Sequence, residues 1–218
     1  MSPNGILVIR SDIAAEIEAD YLAWLTREHT LERVGIAGFV SARIFRCCRR
    51  DVRRYMILYD LDSPSVVDSH AYLARLNNPT PWSARMMPHL GAFMRGGGAV
   101  VATAGAGNGS VLLPLMLDDD ALGDGPAAVN ELAGRDGIVA VRLVEADAAR
   151  TTAPSRERTL RSADASFQRL LLIESLSPES AVAAAATNAA LMRSIDGADR
   201  SGFAYREIFH LGKGTLPH

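Results

Sequence analysis

The chain has 218 residues, 48% of them hydrophobic and 22% charged, which supplies enough apolar material for a sizeable core and excludes a disordered chain. Its 23 basic and 25 acidic residues leave a formal charge of -2, so no global field draws it to nucleic acid or to an anionic membrane. The two cysteines, Cys47 and Cys48, are neighbours that cannot join distant segments. The first residues, MSPNGILVIRSD, have no basic stretch followed by a long apolar run, and no window approaches a membrane span, so a reduced, cytoplasmic protein is expected.

Residues 6–9 form a short apolar run after Gly5, consistent with a buried strand. From Ile13 the period becomes helical, with Ile17, Tyr21, Trp24, Leu25 and Leu31 recurring at three and four. Ser11 or Asp12 can cap that helix, and the segment from Gly35 to Gly38 breaks the pattern. Residues 39–46 and 55–61 read as a hairpin about the charged turn RRDVRR. Ser63-Pro64 opens a helix, with proline at the first position where its missing N–H costs nothing. Pro79 and Pro81 interrupt it. A helical stretch over 83–94 and a strand over 99–104 complete the first half. The glycine-rich residues 105–109 read as a surface turn and linker with no phosphate role, because they lack the lysine of a phosphate loop and the spacing of a dinucleotide fingerprint.

The same order then begins again. Residues 111–117 form a strand weakened by Pro114. A short helix over 126–132, a strand over 137–145, a long arginine-rich loop over 146–165 and a strand over 167–175 follow. Ser177-Pro178 opens a helix running to 195, and residues 203–210 form the last strand. The segment beginning Gly38-Phe39-Val40 lies over Gly137-Ile138-Val139 without a gap, so that Arg142 repeats Arg43, and the two Ser-Pro junctions also correspond. Strand, helix, strand, strand, helix, strand thus occurs twice, over residues 1–105 and 110–218. Each half is too small to leave a sheet face uncovered, so the two are expected to pack together.

The element order resembles the dimeric α+β barrels, and the first half resembles an uncharacterised bacterial branch near the ethyl tert-butyl ether degradation (EthD) families. The resemblance is carried by Trp24, Glu28-His29-Thr30, Glu32-Arg33, Gly38-Phe39, the strand YMILYDL, Tyr72-Leu73 and the run Asn77-Asn78-Pro79-Thr80-Pro81-Trp82. It covers about the first hundred residues at the level of motifs and the rest only as element order. It implies an α+β chain of two ferredoxin-like βαββαβ repeats, whose four-stranded antiparallel sheets pack face to face as a tandem pseudo-dimer. The superfamily includes cofactor-free monooxygenases, isomerases and haem enzymes, so it leaves the reaction open.

Polar and aromatic candidates crowd into the first half, and their second-half counterparts are mostly aliphatic. A pocket between sheet and helices is therefore expected in the first half, with the second as scaffold. His29 is the best candidate for proton transfer, since its ordinary pKa of about 6.5 is near working pH. The bland reading is an idle histidine at a helix C-terminus. Arg43, mid-strand, is assigned with it as a catalytic residue that orients an anionic or carbonyl substrate. Its structural alternative is an arginine paired with Arg142 in bridging Asp60 and Glu174. Trp24, Tyr59, Asn78 and Trp82 are assigned as ligand-binding, with aromatic packing as the alternative for Trp82.

The five histidines show no metal-ligand spacing, no serine sits in a nucleophile elbow, and nothing marks a haem ligand, so no metal and no cofactor are expected. The arginines around Cys47 and Cys48 could lower a thiol pKa, although unused thiols are the simpler reading. Three functions remain: a cofactor-independent small-molecule enzyme or degradation accessory, a small-ligand-binding module on the same pocket, or a structural and assembly module. A small-molecule ligand is the expected partner, with neither nucleic acid nor membrane. A monomer can be complete, and self-association through edge strands stays open.

Overall fold

The structure, a computed structural model, describes residues 4–117, 122–161, 164–196 and 203–216. The strands are β1 (Gly5–Asp12), β2 (Phe39–Cys47), β3 (Arg54–Leu61), β4 (Gly91–Gly105), β5 (Val111–Leu117), β6 (Ile138–Ala146), β7 (Arg169–Ser175) and β8 (Tyr205–Gly212). They form one closed barrel in the order β1-β3-β2-β8-β5-β7-β6-β4, with every pairing antiparallel. This corrects the expected fold. In place of two ferredoxin-like repeats with separate sheets packed face to face, the strands hydrogen-bond continuously round the ring, with helices outside.

The cause lies in two strands, β4 and β8, that each pair with a strand of the other half of the chain. β4 is 15 residues long; its first part pairs with β1, from Gly91 opposite Asp12 to Ala99 opposite Gly5, and its second part pairs with β6, from Gly98 to Gly105. β8 pairs with β2 along its length and with β5 at Arg206 and Tyr205. The ring therefore closes within one chain, with β5 and β8 meeting over only two residue pairs. The expected strand over 99–104 is only the end of β4. The helix expected over 83–94 stops early, because Pro88 lies in the single 3₁₀ turn Met87–His89 and extended backbone begins at Gly91.

The helices α1 (Glu18–Trp24), α2 (Thr30–Val34), α3 (His70–Asn77) and α4 (Pro81–Met86) cover β1–β3, and α5 (Gly125–Ala133), α8 (Pro178–Ala186) and α9 (Ala189–Asp196) cover the later strands. Between them the connection from β6 to β7 carries two single turns, α6 (Ala148–Thr151) and α7 (Arg156–Thr159). The helix expected to run from 178 to 195 breaks at Asn188, whose Oδ1 accepts from the N–H groups of Ala190 and Leu191 at 2.9 and 3.3 Å and so starts α9. Alternation along the strands separates the cores. Ile6, Val8, Phe45, Leu58, Leu112 and Leu172 fill the barrel, while their neighbours Leu7, Ile44 and Ile57 face α1–α4. Among the described residues no helix is long and apolar enough to cross a membrane.

Candidate functional site

Helix α1 does not end in a simple cap. It passes through a π turn, Leu25–His29, in which the Thr30 N–H reaches back to the Leu25 carbonyl, and continues as α2. His29 is thus inside a continuous helical segment and does not terminate one. In an ideal α-helix residues five apart point about 140° away from each other. The wider turn brings Trp24 and His29 onto one face, with ring centroids 4.2 Å apart. Such π insertions recur at functional sites. Trp24 is fixed in turn by its indole N–H, which donates to Ser83 Oγ at 3.1 Å.

Both side chains line a cavity between the barrel and α1–α3. Ile9, Ser11 and Ile57 of the barrel form its floor, Tyr21, Trp24, His29 and Arg33 one wall, and Tyr72, Phe93 and Arg95 another. Its roof comes from the connection between β6 and β7, through Thr151, Ser155, Glu157, Arg158 and Arg161. The space not filled by atoms, mouth included, is about 540 Å³, but only about 30 Å³ of it is wide enough for the centre of a water molecule. It is a narrow aromatic slot with room for a few waters.

The polar groups in this slot are unevenly matched. His29 is 4% exposed, and its Nδ1 is buried with no hydrogen-bond partner. Burial, and then the nearby guanidiniums of Arg33 and Arg161, hold its imidazole well below the usual histidine range, so it is neutral at pH 7. Tyr21 shares a 3.0 Å hydrogen bond with Ser11, and burial raises its phenol. Four arginines line the cavity against one carboxylate, Glu157. Arg33 Nη2 donates to Glu157 Oε1 at 2.5 Å, with both side chains buried, while Arg33 Nη1 has no partner. Arg161 is held by Asp164 at 2.7 and 2.8 Å and lies 4.2 Å over the Phe93 ring. Arg95 donates to the Thr151 carbonyl and the Tyr72 hydroxyl, both neutral acceptors.

A neutral buried His29 has a consequence for stability. The unfolded chain protonates this imidazole near pH 6.5, whereas the folded chain resists protonation until well below that. Between those limits the unfolded state binds more protons, so stability falls as the pH is lowered through the window. Urea denaturation at pH 7.5 and 5.5 is expected to show a loss in the wild type that exceeds the loss in His29→Gln by about 1 kcal/mol. Equal losses would mean that His29 titrates alike in both states.

Of the residues singled out from sequence, His29 and Trp24 come together in this cavity, and Arg43, Tyr59, Asn78 and Trp82 do not line it. Arg43 points into the barrel. It donates from Nη1 to Glu174 at 2.7 Å, from Nη2 to the Gly109 carbonyl at 2.9 Å and from Nε to Glu207 at 2.8 Å. Arg142 joins Asp60 at 2.7 Å and Glu174 at 3.0 Å. The repeated arginines therefore share Glu174, and Arg142 bridges it to Asp60 while Arg43 links it to Glu207, close to their structural reading. Tyr59 is fully buried behind the wall, edge-on to Phe39 at 5.5 Å, with its hydroxyl unpartnered. Asn78 donates to the Ala74 carbonyl, and Trp82 donates to Asp20 at the surface. Burial raises both cysteine thiols despite the nearby arginines.

The residues that sequence reasoning missed are Arg33, Arg95, Glu157, Arg158 and Arg161. The available signal was the run RTTAPSRERTLR over 150–161, a basic cluster in a nearly neutral chain. The cavity takes its floor and walls from residues between Ile9 and Arg95 and its roof from residues between Thr151 and Arg161.

No family model matches the chain, and no curated protein matches it. Three solved structures are similar over nearly the whole length. An anthrone oxidase-like protein is 11% identical with a TM-score of 0.58, covering 100% of this chain and 98% of its own. A candidate monooxygenase from Fusobacterium nucleatum subsp. nucleatum is 12% identical with a TM-score of 0.54, covering 98% and 96%. A candidate monooxygenase from Lactobacillus acidophilus NCFM is 10% identical with a TM-score of 0.50, covering 96% and 97%. At such identities the likeness is one of overall fold alone, and none of the matches bears on an EthD-like branch or on internal duplication.

Proposed function

We propose that the slot between α1–α3 and the roof is a small-molecule site that takes a flat aromatic compound, with His29 as its proton acceptor. The observation that carries this reading is the buried, unpartnered Nδ1 of a neutral histidine stacked on Trp24, in a cavity with more guanidiniums than carboxylates. A buried acceptor without a donor is costly, and a ligand hydroxyl satisfies it. Transfer of that hydroxyl's proton to Nδ1 leaves an aryloxide, whose charge the surrounding arginines and the new imidazolium stabilise. One-electron transfer from such an anion to dioxygen gives an aryloxyl radical and superoxide, which combine at a ring carbon to a hydroperoxide, so dioxygen is both oxidant and oxygen source; the oxidase-like and monooxygenase descriptions of the similar structures support this reading. Binding without turnover is the second reading, and the depressed basicity of His29 favours it.

The chain has two tryptophans, and only Trp24 lines the cavity, so Trp82→Phe leaves a single fluorescent reporter in the wall. Naphthols titrated into that protein are expected to quench Trp24, and His29→Phe to weaken them by about tenfold, the worth of one hydrogen bond to a buried acceptor. Consumption of dioxygen or of the naphthol separates turnover from binding. Unchanged affinity in His29→Phe would remove His29 from the site, and no quenching by any phenol would remove the site itself.

A further inference from the structure

Glu157 is an unusual roof residue. It comes from α7, a single turn of four residues, and a helix of that length has no stability of its own. Its carboxylate is nonetheless buried in the slot on Arg33. It engages that guanidinium through one nitrogen only, leaving Nη1 buried and bare. Arginine and carboxylate pair best as two parallel hydrogen bonds, so Glu157 occupies the place of a carboxylate without completing its contacts. The space around it is also too narrow for an aromatic molecule, and any such ligand must displace something. The walls are built on the barrel and its longer helices, whereas the single turn α7 is held by tertiary contacts: the Arg156 N–H on Asn77 Oδ1 at 3.1 Å, Arg158 on the Thr152 carbonyl and near Asp164, the packing of the adjoining Leu160, and the Arg33 pair itself.

We infer that Glu157 is an internal stand-in for the anion of the cavity's ligand: an aromatic carboxylate displaces it from Arg33 and seats its rings among Trp24, Tyr72 and Phe93. The inference rests on the cavity being a small-molecule site, as proposed above, and names the class of molecule it takes. Charge agrees with it. Once Glu157 leaves, Arg33 faces the slot without its carboxylate, and Arg95 adds a guanidinium whose hydrogen bonds among the described residues go to the neutral Thr151 carbonyl and Tyr72 hydroxyl, while Arg161 stays on Asp164. Geometry agrees as well. Arg33 and Arg95 lie 5.9 and 5.8 Å from the centroid of the same Tyr72 ring, so cations and an aromatic surface are already set side by side for a ligand that is both anionic and flat. Glu157 then acts as a built-in competitor, which admits ligands able to offer both a carboxylate for Arg33 and a ring for the wall.

The test uses the whole Trp82→Phe protein, with 2-naphthoate and its neutral isostere 2-naphthamide titrated against Trp24 fluorescence and checked by calorimetry. Glu157→Gln removes the competing charge and keeps its shape, and is expected to tighten 2-naphthoate by about tenfold while moving 2-naphthamide less than about twofold. Arg33→Lys, which keeps a charge but loses the fork, is expected to weaken 2-naphthoate, and the double variant to show none of the gain from Glu157→Gln. Arg33→Lys also keeps the test independent of whether larger changes at Arg33 fold. The inference is overturned by a 2-naphthoate affinity that Glu157→Gln leaves unchanged or lowers, by equal gains for acid and amide, or by a gain that survives in the double variant. Naphthol binding with no binding of 2-naphthoate sinks this inference and leaves the site standing; failure of naphthol, acid and amide together sinks both.

Discussion

Glu174→Ala is expected to lower the stability of the protein by about 3–5 kcal/mol, the usual cost of removing one partner from a buried ion pair, and the midpoint of thermal unfolding by on the order of 10 °C. Glu174 is 2% exposed. Its Oε2 accepts from Arg43 at 2.7 Å and from the Gly109 N–H at 2.9 Å, and its Oε1 accepts from Arg142 at 3.0 Å. Truncation leaves two guanidiniums near one another with only Glu207 and Asp60 to balance them. The bonds also bind the two halves of the chain together. β2 and β7 are not neighbours in the barrel, nor are β3 and β6, so Arg43 to Glu174 and Arg142 to Asp60 both cross its interior. Adding Arg43→Met to Glu174→Leu is expected to recover part of the loss, because paired charges removed together leave fewer bare ions behind. Denaturant unfolding of the three variants measures this, and a Glu174→Ala protein within about 1 kcal/mol of wild type would show that the network is solvated rather than structural.

The second large effect is expected at Gly98. This residue pairs with Ile6 on β1 and with Ala146 on β6, at the point where β4 passes from one partner to the other. A Cβ built there would lie 1.9 Å from the Glu145 carbonyl oxygen and 2.8 Å from the Ala146 Cα. Both are backbone atoms of a paired strand, which cannot turn aside as a side chain does. Gly98→Ala is therefore expected to cost about 3 kcal/mol or more, at the upper end for overpacking, and to appear as a large drop in the urea midpoint. Gly212→Ala in β8, where an added Cβ meets nothing within 4 Å, serves as the control and is expected to stay within about 1 kcal/mol of wild type. Similar behaviour of the two variants would mean that β4 and β6 do not close as tightly as described.

The elements themselves were legible in the sequence wherever their signals are local. The apolar alternation of residues 39–46 and 55–61 appears as β2 and β3. Proline follows serine where residues 64–68 and α8 begin, and Ser177 Oγ accepts the Ser180 N–H there, although Ser63 makes no such bond. Two of the cavity's side chains, His29 and Trp24, were legible too, as polar and aromatic residues of the first helical stretch. These are properties of neighbouring residues, and backbone sterics, capping and periodicity act over a few residues at a time.

Three things were decided only by the tertiary structure. Closure of the barrel depends on β4 pairing with β6 and β8 with β2, across the two halves of the chain, and alternation along a strand says which face is buried without saying which strands pair. The stacking of His29 on Trp24 depends on a π turn, to which a period of three and four is blind. The charge of the site depends on Arg33, Arg95 and Glu157, brought together from α2, β4 and α7. In the sequence Arg33 and Glu157 look like ordinary charges, one after a helical stretch and one in a long loop, because a solvated charge and a buried one have the same residue name. What separates them is the set of groups the fold packs around them, and that set comes from residues more than a hundred positions apart, such as Arg33 and Glu157.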